Sequence, residues 1–269
     1  MMFKLGLCQM MGSKEKEESR AKAKAMVCEA VENGAQVVAL PEMWNCPYAN
    51  EYFRPYGESE DGPTAQFLSD LAKEQDIYLI GGSISELEGD QVYNTSYSFD
   101  RKGQLIGKHR KAHLFDINVK NGIRFMESDT LSPGDKATVI DTEYGKIGVA
   151  ICYDVRFPEL SRKMALEGAK LIVLPAAFNM TTGPAHWDLT MRARALDNQV
   201  YFAAVSPARD MKGVYRAYGN SCIATPWGEF LAHMDEKEGI VYGDIDLDYV
   251  DSIREQLPLL KHRRPEIYR

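Results

Sequence analysis

"KIGVAICYDVRFPELSRKMALEGAKLIVLPAAF", residues Lys146 to Phe178, carries a strand, an elbow, a helix and a second strand in one unbroken run. "IGVAI" and "LIVLP" are short apolar runs bounded by turn or charged residues, the pattern of buried strands. Between them "FPELSRKMALEGA" is amphipathic, starts at a proline suited to a first helical turn and ends at a glycine. The same order occurs earlier in the chain: "KLGLCQM" (Lys4 to Met10) matches "KIGVAIC" (Lys146 to Cys152), and "NGAQVVALPEMW" (Asn33 to Trp44) matches "EGAKLIVLPAAF" (Glu167 to Phe178). "KEQDIYLIGGS" (Lys73 to Ser83) then parallels "LDNQVYFAAVS" (Leu196 to Ser206), and "YNTSYSFDRKGQLI" (Tyr93 to Ile106) parallels "YGNSCIATPWGEFL" (Tyr218 to Leu231). Each half reads as strand, helix, strand, helix, strand and a hairpin around "DRKG" or "TPWG".

A chain of this kind makes a sheet covered by helices on one face, and two such sheets bury their bare faces against each other. The expected fold is therefore α/β, a four-layer α-β-β-α sandwich with an internal pseudo-twofold repeat. A single domain over 1–269 is expected. "LPLLKHRRPEIYR" has no counterpart in the first half, and an arm over about 251–269 is expected to pack on the other half or on a second subunit.

Composition bounds the function classes. The chain has 45% hydrophobic and 26% charged residues and a net charge of −7. That balance argues against a nucleic-acid surface, which requires an excess of clustered Lys and Arg. Five cysteines without a CxxC pair suggest neither a disulfide framework nor a zinc knuckle and point to a reducing compartment. The N-terminus "MMFKLGLCQM" lacks the features of a signal peptide, and the apolar runs fall far below membrane-spanning length, so no membrane association and a cytoplasmic location are expected.

The two halves differ where chemistry would be placed. Glu42 ends the first "LP" strand where the second half has Ala176, and Cys152 ends the Lys146 strand where the first half has Met10. Open α/β sheets carry ligands outside the carboxyl ends of their strands. Cys152 is followed by Tyr153, Asp154, Arg156 and Glu159, which mark emergence from the core. A cysteine at such an elbow exposes its sulfur and brings following backbone N–H groups beside it, as an oxyanion hole requires; the bland alternative is a core thiol.

A nucleophilic cysteine needs a base. His109 and His113 in "GKHRKAH" have the i, i+4 spacing of a metal pair on a helix, but Lys108, Arg110 and Lys111 oppose a divalent ion and no H-E-x-x-H signature occurs. No metal is expected. Glu42 is the stronger base, because a carboxylate at the end of a buried strand is either paired or tuned for proton transfer. Lys111 offers a cation for Glu42 and a donor to a developing oxyanion, or else belongs to a solvated basic turn.

"LPEMW", "HRKAHLFD" and "GVAICYDVRFPEL", in this order, resemble the nitrilase superfamily of carbon–nitrogen hydrolases over nearly the whole chain. The resemblance implies the four-layer sandwich and a Glu42, Lys111, Cys152 triad without metal or organic cofactor. It further implies that the backbone N–H of Tyr153 is an oxyanion donor, and that Glu127 in "FMESDTLSPG" is an additional glutamate orienting the substrate nitrogen. Within the superfamily "KAHLFDINV", "ESDTLSPGD", "FNMTTGPAHWDL" and "ALDNQVYFAAVSPARD" are most similar to the omega-amidases, which release ammonia from 2-oxoglutaramate or 2-oxosuccinamate. The ending "HRRPEIY" looks more like the related amidases of deaminated glutathione, and N-carbamoyl amines or a non-catalytic scaffold are further alternatives.

Such a substrate carries a carboxylate and calls for a cation or several donors. Arg156 is the candidate, unless it bridges Asp154 or Glu159. Tyr48, Thr181 and Thr182 are expected as hydrogen-bonding walls, with Phe178 and Met180 as the apolar side. A homodimer or higher oligomer is also implied by the resemblance.

Overall fold

The structure is a computed structural model that describes residues 1–120 and 123–268. In chain order the first half contains β1 (Met2–Gln9), α1 (Lys16–Glu32), β2 (Val37–Ala39), α2 (Asn50–Phe53), α3 (Pro63–Gln75), β3 (Tyr78–Ile80), β4 (Ile84–Glu88), β5 (Gln91–Phe99) and β6 (Leu105–Arg110). A small ribbon, β7 (Asp116–Asn118) and β8 (Arg124–Met126), precedes β9 (Thr138–Thr142). The second half contains β10 (Gly145–Val149), α4 (Pro158–Leu166), β11 (Leu171–Pro175), α5 (Gly183–Asn198), β12 (Tyr201–Val205), β13 (Cys222–Ala224), β14 (Phe230–His233), β15 (Gly239–Asp246) and α6 (Leu247–Gln256).

The larger sheet runs β15-β1-β2-β3-β5-β4, with β6 also on β5; the other runs β9-β10-β11-β12-β13-β14. In both, the central three strands are parallel and the flanking ones antiparallel. The repeat extends to the helix ends. Gly34 and Gly168 take left-handed φ of 87° and 103° after α1 and α4, while Asp76 and Gln199 cap α3 and α5 at φ 53° and 49°. These are matched positions of the repeat, and a left-handed residue after a helix is a common way to satisfy its last carbonyls.

The sequence comparison did not place the edge strands. β9 follows the first half in sequence but pairs with β10 of the second sheet, whereas β15 follows the second half and pairs with β1 of the first. Each half thus gives its last strand to the other sheet. β4, between the matched blocks, has no counterpart.

Three apolar layers hold the sandwich. Leu5, Leu7, Val37, Ala39, Val149, Leu171, Val173, Ala203 and Val205 meet between the sheets. Ala23, Val27, Leu68 and Leu71 seal α1 and α3 onto the first sheet, and Met164, Trp187, Met191 and Ala195 seal α4 and α5 onto the second. Since both faces of β1, β2, β10 and β11 are covered, their sequences are continuous apolar runs and do not alternate. The stretch expected to form an arm begins inside α6, where Arg254 donates to the carbonyls of Gln199, Ala169 and Asn198; Arg269 lies outside the described residues. Among the described residues no helix is long and apolar enough to cross a membrane.

Candidate active site

Glu42 emerges from the carboxyl end of β2 with 1% of its surface exposed. Its Oε1 accepts from Lys111 Nζ at 3.0 Å, Asn94 Nδ2 at 2.8 Å and the Tyr48 hydroxyl at 3.1 Å. Its Oε2 accepts the backbone N–H of Ala177 at 2.7 Å, a bond from the other half of the repeat. Glu127, in a 3-10 turn after β8, is equally buried. Its Oε1 accepts from Lys111 at 2.9 Å and lies 2.7 Å from the Tyr48 hydroxyl, and its Oε2 accepts the Phe115 N–H at 2.7 Å. Lys111 follows β6 and is fully enclosed. Burial opposes its charge, but the carboxylates of Glu127 and Glu42 outweigh that and hold its pKa well above the ordinary lysine value.

Cys152 stands where β10 gives way to a 3-10 turn over Cys152–Arg156, just before α4. Its φ of 44° is left-handed. A non-glycine residue is held there only when its surroundings enforce it, at a cost of about 1–3 kcal/mol. The elbow is where the sequence places it, but the sulfur is not exposed: Cys152 is 4% accessible. Because α4 and β11 pack against the turn, the thiol belongs to the layer between α4, α5 and the second sheet that includes Val155, Met164 and Phe178. Burial, then the charge of Glu42, push its pKa well above the ordinary thiol value; the Lys111 ammonium and the Ala177 N–H pull the other way without prevailing. Burial also raises Cys46, to about 12, and Cys8 and Cys222 still further. Cys152 differs from these in having two carboxylates and an ammonium around it.

Tyr153 provides the first amide after Cys152 in that turn, and its ring packs edge-on against Phe115 at 5.2 Å and Phe157 at 5.4 Å. Arg156 makes no bridge to Asp154 or Glu159. Its guanidinium lies over the Phe178 ring at 4.9 Å and 3.1 Å from His186 Nδ1. Phe178 is buried against Trp187. The backbone N–H groups of Thr181 and Thr182 both donate to Asn179 Oδ1, tightening the loop that leads from Ala177 into α5. Thr182 is buried, but Met180 and Thr181 are exposed. Arg156 and Phe178 are thus joined to the buried charges through the loop that begins at Ala177, and Met180 and Thr181 lie on the exposed side of that loop.

A cleft of about 410 Å³ opens beside this group. Glu42, Tyr48, Ala177 and Tyr215 form part of its wall, together with Met43, Trp44 and Lys212; Cys152 does not. Tyr215 was not singled out from the sequence. Its hydroxyl donates to the Ala177 carbonyl at 2.6 Å and its ring lies 4.7 Å from that of Tyr48. Asn94 was missed too, and only its position in the matched block "YNTSYSF" hinted at it. Ala177 acts through its backbone, which no side-chain pattern reveals.

The basic segment "GKHRKAH" is a strand end and not a helix, so His109 and His113 do not share a helical face. Both hold one carboxylate. His109 Nε2 is 2.9 Å from Asp154 Oδ2, and His113 Nδ1 is 2.7 Å from Asp154 Oδ1.

The Carbon-nitrogen hydrolase family profile matches residues 4–255. Omega-amidase NIT2 of Xenopus tropicalis is 52% identical over 266 residues, covering 99% of this chain and 96% of its own, and Omega-amidase NIT2 of Mus musculus is 50% identical with the same coverage. The crystal structure of Saccharomyces cerevisiae Nit3, a member of branch 10 of the nitrilase superfamily, superposes with a TM-score of 0.91 at 44% identity, covering 98% of this chain and 97% of that one.

Proposed function

Since the chain belongs to the carbon–nitrogen hydrolase family of the nitrilase superfamily and is an amidase, we propose that it hydrolyses the terminal amide of a small carboxylate-bearing substrate of the 2-oxoglutaramate or 2-oxosuccinamate type. The observation that carries the assignment of the site is the convergence of Glu42, Glu127 and Tyr48 on the Lys111 ammonium beside an enclosed Cys152. The omega-amidase relatives, about half identical over nearly the whole chain, support the substrate class.

In this reading Cys152 attacks the amide carbonyl. Because burial holds the sulfur protonated, the proton must leave as the C–S bond forms, and Glu42 takes it. The tetrahedral oxyanion is met by Lys111 and the Tyr153 N–H. Glu42 returns the proton to the nitrogen, ammonia leaves and a thioester remains; such general acid–base work is worth about 10²–10⁴-fold. Water deprotonated by Glu42 then adds to the thioester, and the thiol departs with that proton, leaving a carboxylic acid that ionises to the carboxylate as the released ammonia takes up its proton. Glu127 and Tyr48 fix Lys111 and the substrate nitrogen. Arg156, over Phe178 and outside any carboxylate pair among the described residues, receives the substrate carboxylate.

No cofactor enters these steps. The whole chain works as one hydrolase unit in the cytoplasm, which the unpaired cysteines support. It pairs with a second copy, supported by exposed Leu189 and Leu196 on α5 and by exposed Trp227, whose neighbour Gly228 lies against Leu196. Ammonia release from 2-oxoglutaramate, 2-oxosuccinamate, deaminated glutathione and N-carbamoylputrescine, with Cys152→Ala as control, tests the assignment. Turnover of the first two that vanishes in Cys152→Ala is expected. Much faster turnover of deaminated glutathione overturns the substrate class, and activity in Cys152→Ala overturns the site.

A further inference from the structure

Asp154 is fully buried two residues after Cys152, and it touches neither the Glu42 cluster nor the cleft. Its carboxylate accepts four donors. His109 Nε2 at 2.9 Å and the Ile151 N–H at 3.0 Å meet Oδ2; His113 Nδ1 at 2.7 Å and the His113 N–H at 3.0 Å meet Oδ1. A carboxylate has about four lone-pair sites, so all are occupied. This explains why Arg156 makes no bridge to it.

The placement of the donors matters more than their number. His109 and His113 flank Lys111 symmetrically, two residues to either side, and Ile151 and Asp154 bracket Cys152. One carboxylate therefore ties the strand end that carries Lys111 to the elbow that carries Cys152. Each side is anchored elsewhere. His109 Nδ1 contacts Thr138 Oγ1 of β9 at 3.1 Å and the Lys111 backbone bonds Asn94 and Gly134 at 2.8 Å each, while His113 stacks at 3.7 Å on Phe157, which closes the Cys152 turn and so adds a second tie between the two sides. On the elbow side, the Asp154 bond to Ile151 closes a loop around a residue held at φ 44°.

We propose that Asp154, with His109 and His113, is a positioning brace that sets the separation of Lys111 and Cys152 and holds the cysteine in its left-handed conformation. It touches no substrate. Its effect is on how well the oxyanion donor and the nucleophile are aligned, where a misplacement of about 1 Å costs on the order of 10²-fold in rate. The inference rests on Cys152 being the nucleophile.

The test uses the full chain and the best amide substrate. Asp154→Asn keeps the shape but faces the donors with an amide, and kcat is expected to fall about 10²-fold with KM within about twofold. His113→Ala removes one donor from a partly exposed position and should lower kcat about tenfold, whereas His113→Asn, whose amide nitrogen stands where Nδ1 was, should retain kcat within about threefold. Thermal midpoints and near-UV spectra establish that each variant is folded, and the His113 pair decides the matter even where Asp154→Asn does not fold. Equal losses in His113→Ala and His113→Asn, a rise in KM with kcat intact, or a folded Asp154→Asn with full kcat each overturn the brace. Activity surviving in Cys152→Ala instead overturns the assignment of the nucleophile, so the two failures are distinguishable.

Discussion

Lys111 donates to Glu127 at 2.9 Å while wholly enclosed, and neither residue has water to fall back on. Glu42 uses the same ammonium at 3.0 Å, so two carboxylates depend on one cation. Removing the cation leaves both anions buried and facing each other, whereas neutralising one carboxylate leaves a matched pair.

Lys111→Ala should therefore destabilise the fold by about 3–5 kcal/mol, the cost of breaking a buried ion pair, while Glu127→Gln should cost clearly less and still abolish most activity. Urea unfolding of the two variants checks the order. A Glu127→Gln variant as unstable as Lys111→Ala would contradict this electrostatic account.

Cys152 should contribute no thiolate at neutral pH, because its burial and the charge of Glu42 raise its pKa. The difference in absorbance near 240 nm between the parent and Cys152→Ser is expected to stay flat through neutral pH and to rise only in the alkaline range. A thiolate step between about pH 5 and 7.5, the range of reactive cysteines paired with a cation, would refute it.

The left-handed φ of Cys152 reverses an ordinary preference. Glycine usually costs about 0.5–1 kcal/mol relative to alanine in regular structure, but here alanine keeps the strain that glycine relieves. Cys152→Gly should be at least as stable as Cys152→Ala in chemical denaturation. An alanine variant more stable by the usual margin would show that the elbow is not strained.

Asp154 has its folded pKa depressed: burial raises it, but hydrogen bonds from His109 and His113 and the Ile151 N–H prevail. A depressed acid contributes stability that is complete above its unfolded value of about 3.9 and is lost as pH falls toward the folded one. Unfolding free energy should thus decline more steeply below about pH 4 in the parent than in Asp154→Asn. Parallel curves would contradict the linkage.

How much of this was legible in the sequence follows from which signals are local. The strand and helix pattern, the helix-ending glycines and the two odd residues Glu42 and Cys152 all emerge from comparing the halves, because each signal lies within a single run of the chain. Lys111 had no such signal: its basic segment offered it as a cation for Glu42 or as part of a solvated turn, and only the resemblance chose between them, whereas Glu127 came from the resemblance alone. The exchange of β9 and β15 was hidden because edge strands have weak patterns and their pairing is decided by distant partners. The bonds from Ala177 to Glu42 and from His109 to Asp154 span 135 and 45 residues, and nothing periodic records them. The expectation of an exposed sulfur failed for a physical reason: charged neighbours after Cys152 marked a turn, but Asp154 turns inward to the two histidines.

The central claim is that Cys152 carries the acyl group. Rapid acid quenching of the enzyme during turnover of 2-oxoglutaramate, followed by peptide mass measurement, addresses it directly. The account predicts an adduct on the peptide containing Cys152 whose mass equals the substrate less ammonia, and none in Cys152→Ala. Sustained ammonia release with no adduct on that peptide under the same quench, or with turnover retained in Cys152→Ala, would contradict it.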